Sequence, residues 1–315
     1  MQQNPQQEDP QRGVARSATP RPFTGLVAYP PTPFDASGAV DTATLRELVT
    51  RPAEGGADAV AVLGTSGSGV YLDAGERRTV VQHAVRALRG TGVPLHAAVS
   101  ALSTRDAVAA ARDAVDAGAD GVLVSPVGYV PLTDEEVVPH VAAVAAAAGV
   151  PVCFYNNPTT TRYDVTLPVL RELAASGAMA AVKDTATGPE PWRERLAGYR
   201  DAGLPCAVGL SRDVLLLGAG SAADAWHSGV AALLPTAYVR LRAAVVAGDG
   251  PGAERWAGFL RPVVEELARL RPITGLHALA AAVGVPAGAP REPLRPAPDE
   301  AVRRLRELVA AVPAR

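Results

Sequence analysis

The chain has 315 residues, of which 48% are hydrophobic, so it can build a sizeable core and is not a wholly disordered chain. Its 30 basic and 32 acidic residues leave a formal net charge of −2, which gives no electrostatic basis for binding nucleic acid or an anionic membrane. No apolar run reaches the ~18 residues of a membrane-spanning helix. Cys153 and Cys206 cannot form a disulfide framework, and we expect a cytoplasmic protein.

Residues 1–22 are rich in Gln, Pro and Arg and predict a disordered N-terminal tail rather than a signal peptide. From residue 25 onward, short apolar runs recur roughly every thirty residues, which is the length of one βα unit. Stretches of helical periodicity lie between them, and several open on a capping residue such as Asp41, Asp73 or Ser103. The predicted strands are residues 26–29, 59–63, 94–99, 121–124, 150–155, 178–183, 205–209 and 222–226.

Eight strand–helix repeats in a chain of this size predict a (β/α)₈ barrel. A doubly wound parallel sheet is the alternative, but no G-x-G-x-x-G motif follows the first strand. Beyond residue 235 the patterns are helical only. We therefore predict the tail over 1–22, a catalytic barrel over 23–235, and a C-terminal helical extension over 236–315 that packs on the barrel or on another subunit.

Lys183 is the only lysine among the 30 basic residues, and it stands at the end of the sixth predicted strand. In this fold the active groups lie at the carboxyl ends of the strands, so we expect the amine at the mouth of the barrel. A partly desolvated ammonium loses its proton more readily, and a neutral amine forms a Schiff base with a ketone or aldehyde. The alternative is a structural lysine that pairs with an acid such as Asp184.

Schiff-base chemistry also needs a group that moves protons. Tyr155, at the end of the adjacent strand, supplies a phenol, and Thr65 could connect to it by hydrogen bonding. The glycines around Thr65 and Ser66 allow backbone N–H groups to approach a carboxylate closely. Together these residues predict a site for a carbonyl compound that carries a carboxylate.

Four short motifs occur in order: Thr32-Pro33-Phe34, Gly64-Thr65-Ser66-Gly67, Tyr155-Asn156-Asn157-Pro158 and Val182-Lys183-Asp184. They resemble motifs of the dihydrodipicolinate synthase / N-acetylneuraminate lyase family of class I aldolases, over about residues 23–235. The resemblance implies a Schiff base between Lys183 and pyruvate or another 2-oxo acid, with Tyr155 as general acid/base. It also implies that Thr65 relays protons and that Thr65 and Ser66 hold the substrate carboxylate.

The resemblance further implies that the protein is a homotetramer built from dimers. Tyr129 resembles a family tyrosine that reaches the site of a neighbouring subunit. Gly209 and Arg162 are further candidates for substrate binding. No cofactor or metal is implied, and the five histidines show no metal-ligand spacing.

Two departures from the family pattern bear on the substrate. Ser68 replaces the usual Glu, and Arg162 lies two positions later than the arginine with which the synthase branch binds the carboxylate of its aldehyde. Dihydrodipicolinate synthesis itself is therefore not the expected reaction. His227 could face the second substrate, and Arg212 could bind an acidic group, although a solvated helix start is the simpler interpretation.

The expected function is a Schiff-base aldolase or lyase that joins a 2-oxo acid, with pyruvate as the first candidate, to an aldehyde or cleaves the reverse bond. One alternative is a dehydratase that acts on a sugar acid through the same imine. The other is a non-catalytic protein that binds a 2-oxo acid, since a fold does not fix a function. The expected partners are these small molecules, not nucleic acid or membrane.

Overall fold

A computed structural model of the chain describes residues 21–218 and 223–314. Eight parallel strands close into a barrel in sequence order, with the first strand paired to the eighth. The strands are β1 (Gly25–Ala28), β2 (Ala59–Val62), β3 (Leu95–Ala98), β4 (Gly121–Val124), β5 (Val152–Asn156), β6 (Ala181–Asp184), β7 (Ala207–Ser211) and β8 (Ala225–Ser228). The predicted (β/α)₈ barrel is confirmed, and the doubly wound alternative, an open sheet, is wrong.

Twelve α-helices surround or extend the barrel within the described ranges. They are α1 (Thr42–Glu54), α2 (Ala74–Leu88), α3 (Thr104–Asp116), α4 (Asp134–Ala148), α5 (Pro158–Thr161), α6 (Leu167–Ala175), α7 (Pro189–Asp201), α8 (Asp213–Leu216), α9 (Pro235–Val246), α10 (Gly250–Ala268), α11 (Pro272–Ala282) and α12 (Asp299–Ala310). The C-terminal helices pack on one another, with α10 against α9 and α12. None of the described helices has the length and apolar character needed to cross a membrane.

Side-chain caps determine where several helices begin. The Asp41 carboxylate accepts hydrogen bonds from backbone N–H groups in the first turn of α1. Asp73 and Glu76 form a capping box at α2, and the Glu136 carboxylate accepts a hydrogen bond from Thr133 N at α4. Each contact satisfies a backbone N–H that the helix itself leaves unpaired.

Three aspartates close the amino-terminal end of the barrel. Asp58, Asp120 and Asp224 stand directly before β2, β4 and β8, and each accepts a hydrogen bond from a backbone nitrogen of the preceding strand, at 2.7, 2.8 and 2.9 Å. Two of these turns begin with a glycine in the left-handed region, Gly56 with φ 89° and Gly118 with φ 104°. The glycines let the chain turn sharply enough to bring each aspartate under its strand.

The seventh and eighth strands lie two to three residues later than the sequence predicts. Pro205 has no backbone N–H and cannot join the ladder, so β7 starts after it at Ala207. Ser211 and His227 consequently belong to strands rather than to loops. Residue 222, the predicted start of the eighth strand, and residues 1–20 of the predicted tail lie outside the described residues.

Candidate active site

A cavity of about 440 Å³ opens at the carboxyl end of the barrel. Lys183, Tyr155, Thr65 and Ser66, the four residues predicted for carbonyl chemistry, all line it. Side chains from the ends of β1 and β8 and from α10 complete its walls. The fold thus brings residues from the ends of six strands to one cavity, as expected for the mouth of a (β/α)₈ barrel.

The Lys183 side chain points into the barrel from β6. Register places it between Tyr155 on β5 and Gly209 on β7. Because alternate residues of a strand face opposite sides, its neighbour Asp184 faces the surrounding helices instead. Lys183 is only 5% exposed, so its amine is largely shielded from bulk water.

The Lys183 amine lies between two phenol rings. Its Nζ is 3.8 Å from the ring centroid of Tyr155 and 3.9 Å from that of Tyr29. No carboxylate forms an ion pair with Lys183 in the described part of the chain, and Asp184 instead accepts a hydrogen bond of 2.6 Å from Tyr199 Oη. The alternative of a structural Lys183–Asp184 pair is therefore not the observed arrangement.

Tyr155 has the surroundings of a phenol that can exchange a proton. Its Oη accepts a hydrogen bond of 2.8 Å from Asn157 Nδ2. Burial alone would raise the pKa of Tyr155, but the charge of Lys183, the nearby Thr185 and Thr65 hydroxyls and the Asn157 amide lower it below its ordinary value. A phenol with a stabilised anion is suited to general acid/base catalysis.

Tyr29 and His227 form a second polar pair beside Lys183. Tyr29 Oη and His227 Nδ1 are 2.8 Å apart, and both residues are 2% exposed. Burial and the charge of Lys183 lower the pKa of His227 well below its usual range, and burial raises that of Tyr29, so both groups are neutral. His227 Nε2 has no hydrogen-bond partner among the described residues.

The missing side chain of Gly209 makes room for this pair. A Cβ on Gly209 would lie 2.3 Å from His227 Nε2, so only glycine at this position leaves room for the imidazole. Gly209 does not itself line the cavity. In the structure, Gly209 leaves the space that the His227 side chain occupies. The direct substrate contact expected for Gly209 stays a prediction.

The glycine-rich loop after β2 folds tightly beneath Thr65 and Ser66. A Cβ on Gly67 would lie 2.8 Å from the backbone nitrogen of Leu63, so this loop tolerates no side chain there. Thr32, from the first predicted motif, donates a hydrogen bond of 2.7 Å to Gly67 O and anchors the loop. These contacts place Thr65 and Ser66 at the cavity wall.

Two predicted substrate contacts lie elsewhere. Arg162 Nη2 donates a hydrogen bond of 2.6 Å to Tyr129 O, and Tyr129 is 88% exposed. Neither residue lines the cavity. The structure thus brings Tyr129 and Arg162 to each other rather than to Lys183, and their contacts with substrate stay predictions.

The end of β7 contributes two charged residues to the cavity wall. Arg212 lies beside Ser211, and the carboxyl group of Asp213 accepts hydrogen bonds from the hydroxyls of Ser228 and Tyr238. Burial raises the pKa of Asp213, and these two hydroxyls oppose that change. The Asp213 carboxyl is therefore engaged by its own neighbours.

A charged cluster behind the cavity fixes the end of β6. The fully buried Asp184 pairs with Arg195 Nη1 at 3.3 Å, and Arg195 also pairs with Asp164. Asn156 Nδ2, at the end of β5, donates a hydrogen bond of 3.0 Å to Asp164. The backbone that carries Lys183 is thereby tied to α7 on its outer side.

The sequence reasoning missed Tyr29, Thr185 and Asn157 as parts of the site. Tyr29 directly follows β1, and Thr185 directly follows β6. Their positions at strand ends could have identified both residues, because functional groups of this fold cluster there. Asn157 belongs to the Tyr155-Asn156-Asn157-Pro158 motif, but the sequence did not indicate its hydrogen bond to Tyr155 Oη.

Known proteins resemble this chain over nearly its whole length. The model of the dihydrodipicolinate synthetase family matches residues 22–312. An uncharacterized DapA-like lyase from Halobacterium salinarum is 33% identical over 285 residues, which cover 90% of this chain and 92% of that protein. A 4-hydroxy-tetrahydrodipicolinate synthase from Streptomyces coelicolor is 33% identical over 281 residues, covering 89% and 90%.

Solved structures agree with the sequence comparison. The crystal structure of dihydrodipicolinate synthase from Agrobacterium tumefaciens has a TM-score of 0.87 and 36% identity, and the match covers 92% of this chain and 98% of that one. A sialic acid aldolase from Ruminococcus gnavus has a TM-score of 0.84 at 20% identity, covers 92% and 97%, and shares the fold. The resemblance predicted from the motifs is confirmed, and the chain belongs to the dihydrodipicolinate synthetase family.

Proposed function

We propose that the protein is a class I aldolase or lyase that joins pyruvate or a related 2-oxo acid to an aldehyde, or cleaves the reverse bond, through an imine on Lys183. One observation carries this proposal: the only lysine of the chain is buried in the barrel mouth, with its amine between the rings of Tyr155 and Tyr29. An amine in such surroundings is suited to attack a carbonyl carbon.

The proposed reaction begins when Lys183 Nζ attacks the keto carbon of the 2-oxo acid. Tyr155 protonates the hydroxyl of the resulting carbinolamine, which leaves as water and produces a protonated imine. Tyr155 then removes a proton from the adjacent carbon, and the resulting enamine attacks the aldehyde. The alkoxide takes a proton from Tyr155, and water hydrolyses the imine to release product and free Lys183.

The carboxylate of the 2-oxo acid is assigned to the loop that carries Thr65 and Ser66. Backbone N–H groups and hydroxyls from a glycine-rich loop stabilise an anion without bringing a competing positive charge close to the imine. Since the iminium itself accepts electrons from the breaking bond, the proposed chemistry assigns no step to a metal or cofactor.

Dihydrodipicolinate synthesis itself is not proposed. The arginine with which the synthase branch binds the carboxylate of its aldehyde has no equivalent at its own position here, and Arg162, two positions later, donates its hydrogen bond to Tyr129 O outside the cavity. Ser68, which stands in place of a usual Glu, is fully buried and does not line the cavity. The second substrate is therefore expected to differ.

A sugar-acid dehydratase is a second candidate because it would use the same imine. Thr159, Thr160 and Ser211 are among the lining residues, and hydroxyl side chains are suited to a substrate with several hydroxyl groups. Incubation with a panel of sugar acids, with 2-oxo acid products measured, separates dehydration from aldol cleavage.

Borohydride trapping tests the proposed imine. Reduction in the presence of pyruvate should add one pyruvate-derived mass to the peptide that contains Lys183. The adduct should be absent from Lys183→Ala, and also from Lys183→Arg, which keeps the positive charge. Both variants should lose activity by several orders of magnitude, since no other lysine exists to substitute. Absence of an adduct in the native protein overturns the proposal, and an adduct without turnover on any aldehyde or sugar acid supports the non-catalytic alternative.

We also propose that the subunits form a homotetramer built from dimers. Val70, Leu102, Tyr129 and Val130 are large apolar side chains with exposed fractions between 62% and 88%. Val70 and Leu102 line a groove of about 530 Å³ beside α2 and α3. Exposed apolar surface of this kind favours association. Light scattering should give a tetramer mass that Leu102→Asp reduces, and a monomer mass for the native protein would refute the assembly.

A further inference from the structure

We propose that His227 Nε2 forms a hydrogen bond with a hydroxyl on carbon 3 of the bound 2-oxo acid, so that the acid joined to Lys183 is a 3-hydroxy-2-oxo acid. The inference rests on the proposed imine at Lys183. It names the class of 2-oxo acid that the cavity selects, and hydroxypyruvate is the smallest member of that class.

The first argument is the position of the imidazole. His227 lines the cavity from β8, and its Nε2 occupies the space that a side chain at position 209 would fill, since a Cβ on Gly209 would lie 2.3 Å away. Register pairs Gly209 on β7 with Lys183 on β6, so the two positions are neighbours on the inner face of the barrel. His227 Nε2 therefore lies on the β7 side of the lysine that carries the proposed imine.

The second argument is how the imidazole is held. Tyr29 Oη and His227 Nδ1 are 2.8 Å apart, and the ring of Tyr29 lies against Lys183 Nζ, 3.9 Å from its centroid. Tyr29 is itself closely packed, because a Cβ on Gly64 would lie 3.2 Å from Tyr29 Cδ1. With Nδ1 engaged in this way, Nε2 is the nitrogen of His227 that remains for a ligand.

The third argument is the unsatisfied state of Nε2. It is buried and has no hydrogen-bond partner among the described residues. Such an atom has lost its water without gaining a protein partner, which is costly unless a ligand supplies the bond. The imidazole is neutral, because burial and the charge of Lys183 lower the pKa of His227 well below its usual range. A hydroxyl both donates and accepts, so it satisfies Nε2 whichever ring nitrogen carries the proton.

The orientation of the 2-oxo acid places this hydroxyl on carbon 3. Carbon 2 is bonded to Lys183 Nζ, and the carboxylate is assigned to the loop of Thr65 and Ser66 after β2. Carbon 3 is the remaining substituent and extends away from that loop. Most of the residues that line the cavity there belong to the chain from β7 onward, where His227 lies. An oxygen on carbon 3 is only two bonds from the imine carbon, as a partner so close to Lys183 must be.

This assignment also defines the product class. Tyr155 removes a proton from carbon 3 of the imine, and the resulting enamine keeps its hydroxyl. Carbon 3 then forms its bond to the aldehyde carbon, and hydrolysis of the imine releases a 3,4-dihydroxy-2-oxo acid. Cleavage runs the same steps in reverse and returns the 3-hydroxy-2-oxo acid and the aldehyde.

The experiment compares two 2-oxo acids of nearly the same size. Borohydride trapping on Lys183 is titrated with hydroxypyruvate and with 2-oxobutanoate, in which a methyl group replaces the hydroxyl. Trapping of both acids on Nα-acetyl-lysine in solution measures their intrinsic reactivity toward an amine, and the preference of the protein is expressed relative to that ratio. Pyruvate is titrated in parallel to measure the imine itself.

We expect the native protein to prefer hydroxypyruvate by about tenfold or more after this correction. His227→Leu should abolish the preference, and His227→Gln, whose amide still offers a hydrogen bond, should keep part of it. His140→Leu is the matched control and should keep the full preference. His140 is also a buried histidine whose Nε2 has no partner in the described ranges, but it does not line the cavity.

Equal corrected trapping of the two acids by the native protein overturns the inference, and so does a preference that survives in His227→Leu. Should His227→Leu give no adduct with pyruvate, His227→Gln takes its place, and an undiminished preference in that variant overturns the inference. These results differ from a failure of the proposed function, in which pyruvate gives no adduct on Lys183 of the native protein.

Discussion

The two ends of the barrel differ in how completely their polar groups are hydrogen-bonded. At the amino-terminal end, Asp58, Asp120 and Asp224 each bind a backbone N–H of the preceding strand. At the carboxyl end, the buried atom His227 Nε2 has no partner among the described residues. An unpaired buried group costs about 1–3 kcal/mol, so a ligand that supplies a partner at the cavity recovers that free energy.

Buried polar atoms without a partner also occur outside the site, and His96 is the one residue with two of them in the described ranges. His96 on β3 packs against Phe23 with ring centroids 4.1 Å apart, and neither of its nitrogens has a partner in the described ranges. It does not line the candidate active site. We therefore expect substitutions at the carboxyl end to lower turnover, and substitutions at the amino-terminal end to lower stability alone.

The largest effect is expected from Tyr155→Phe. Loss of the phenol removes the proposed proton carrier and should lower kcat by about 10²–10⁴-fold, with thermal stability nearly unchanged. Tyr163→Phe is the matched control, since Tyr163 lies in the same segment and donates its hydroxyl to Asp134 away from the cavity. Steady-state kinetics on both variants test the difference, and equal losses would contradict the assignment.

His96 should make stability depend on pH without affecting the site. Burial lowers the pKa of His96 to about 4, against the 6.5 of an unperturbed histidine. Between these values the unfolded chain binds a proton that the folded chain does not. Stability should therefore fall as pH drops from 6.5 toward 4, by roughly 3 kcal/mol from this residue.

Denaturant titrations across that pH range measure this effect. His96→Leu removes the titrating group and should flatten the profile, although the other buried histidines keep a part of the slope. An unchanged slope in His96→Leu would show that the residue does not drive the dependence.

Gly209→Ala should lower both stability and activity, because it disturbs packing at the carboxyl end. The new Cβ would lie 2.3 Å from His227 Nε2, so the imidazole must move and release Tyr29 from its place beside Lys183. Overpacking of this kind typically costs 1–3 kcal/mol, and we expect about a tenfold loss of kcat with it. Gly198→Ala, in α7 with open space around it, is the control and should keep full activity. Full activity in Gly209→Ala would show that turnover does not depend on the placement of Tyr29 and His227.

The smallest effect is expected from Asp58→Ala. It leaves the backbone nitrogen of Leu26 without its acceptor and should lower the free energy of unfolding by about 1–2 kcal/mol at unchanged kcat/KM. Asp116→Ala, at an exposed helix end, should change stability by less than about 0.5 kcal/mol. A loss of turnover in Asp58→Ala would break the proposed division between the two ends.

The fold and the reactive core were predictable because each rests on a local signal. Eight apolar runs at regular spacing specified the barrel, and the strand-end rule placed Lys183 and Tyr155 in one cavity. The limits of β7 were missed because Pro205 looked like a strand residue by hydrophobicity although it cannot pair. The Tyr29–His227 contact spans 198 positions in sequence, and closure of β8 onto β1 creates it.

The outer part of the site was less predictable for a physical reason. Whether Arg162 or Arg212 enters the cavity depends on backbone turns at single residues, and both have positive φ, 56° and 83°. Sequence patterns of hydrophobicity carry no information about such turns in residues other than glycine. The direction of an arginine side chain therefore had to come from coordinates.

The burial of the single lysine has a practical consequence. Apart from the α-amine of the chain, Lys183 carries the only primary amine, and it lies inside the cavity. Amine-directed acylating reagents can therefore report occupancy: a bound compound slows acylation of Lys183, and peptide mapping separates that group from one on the α-amine. Substrate screening of this protein can proceed by competition labelling, with no assay for any particular product.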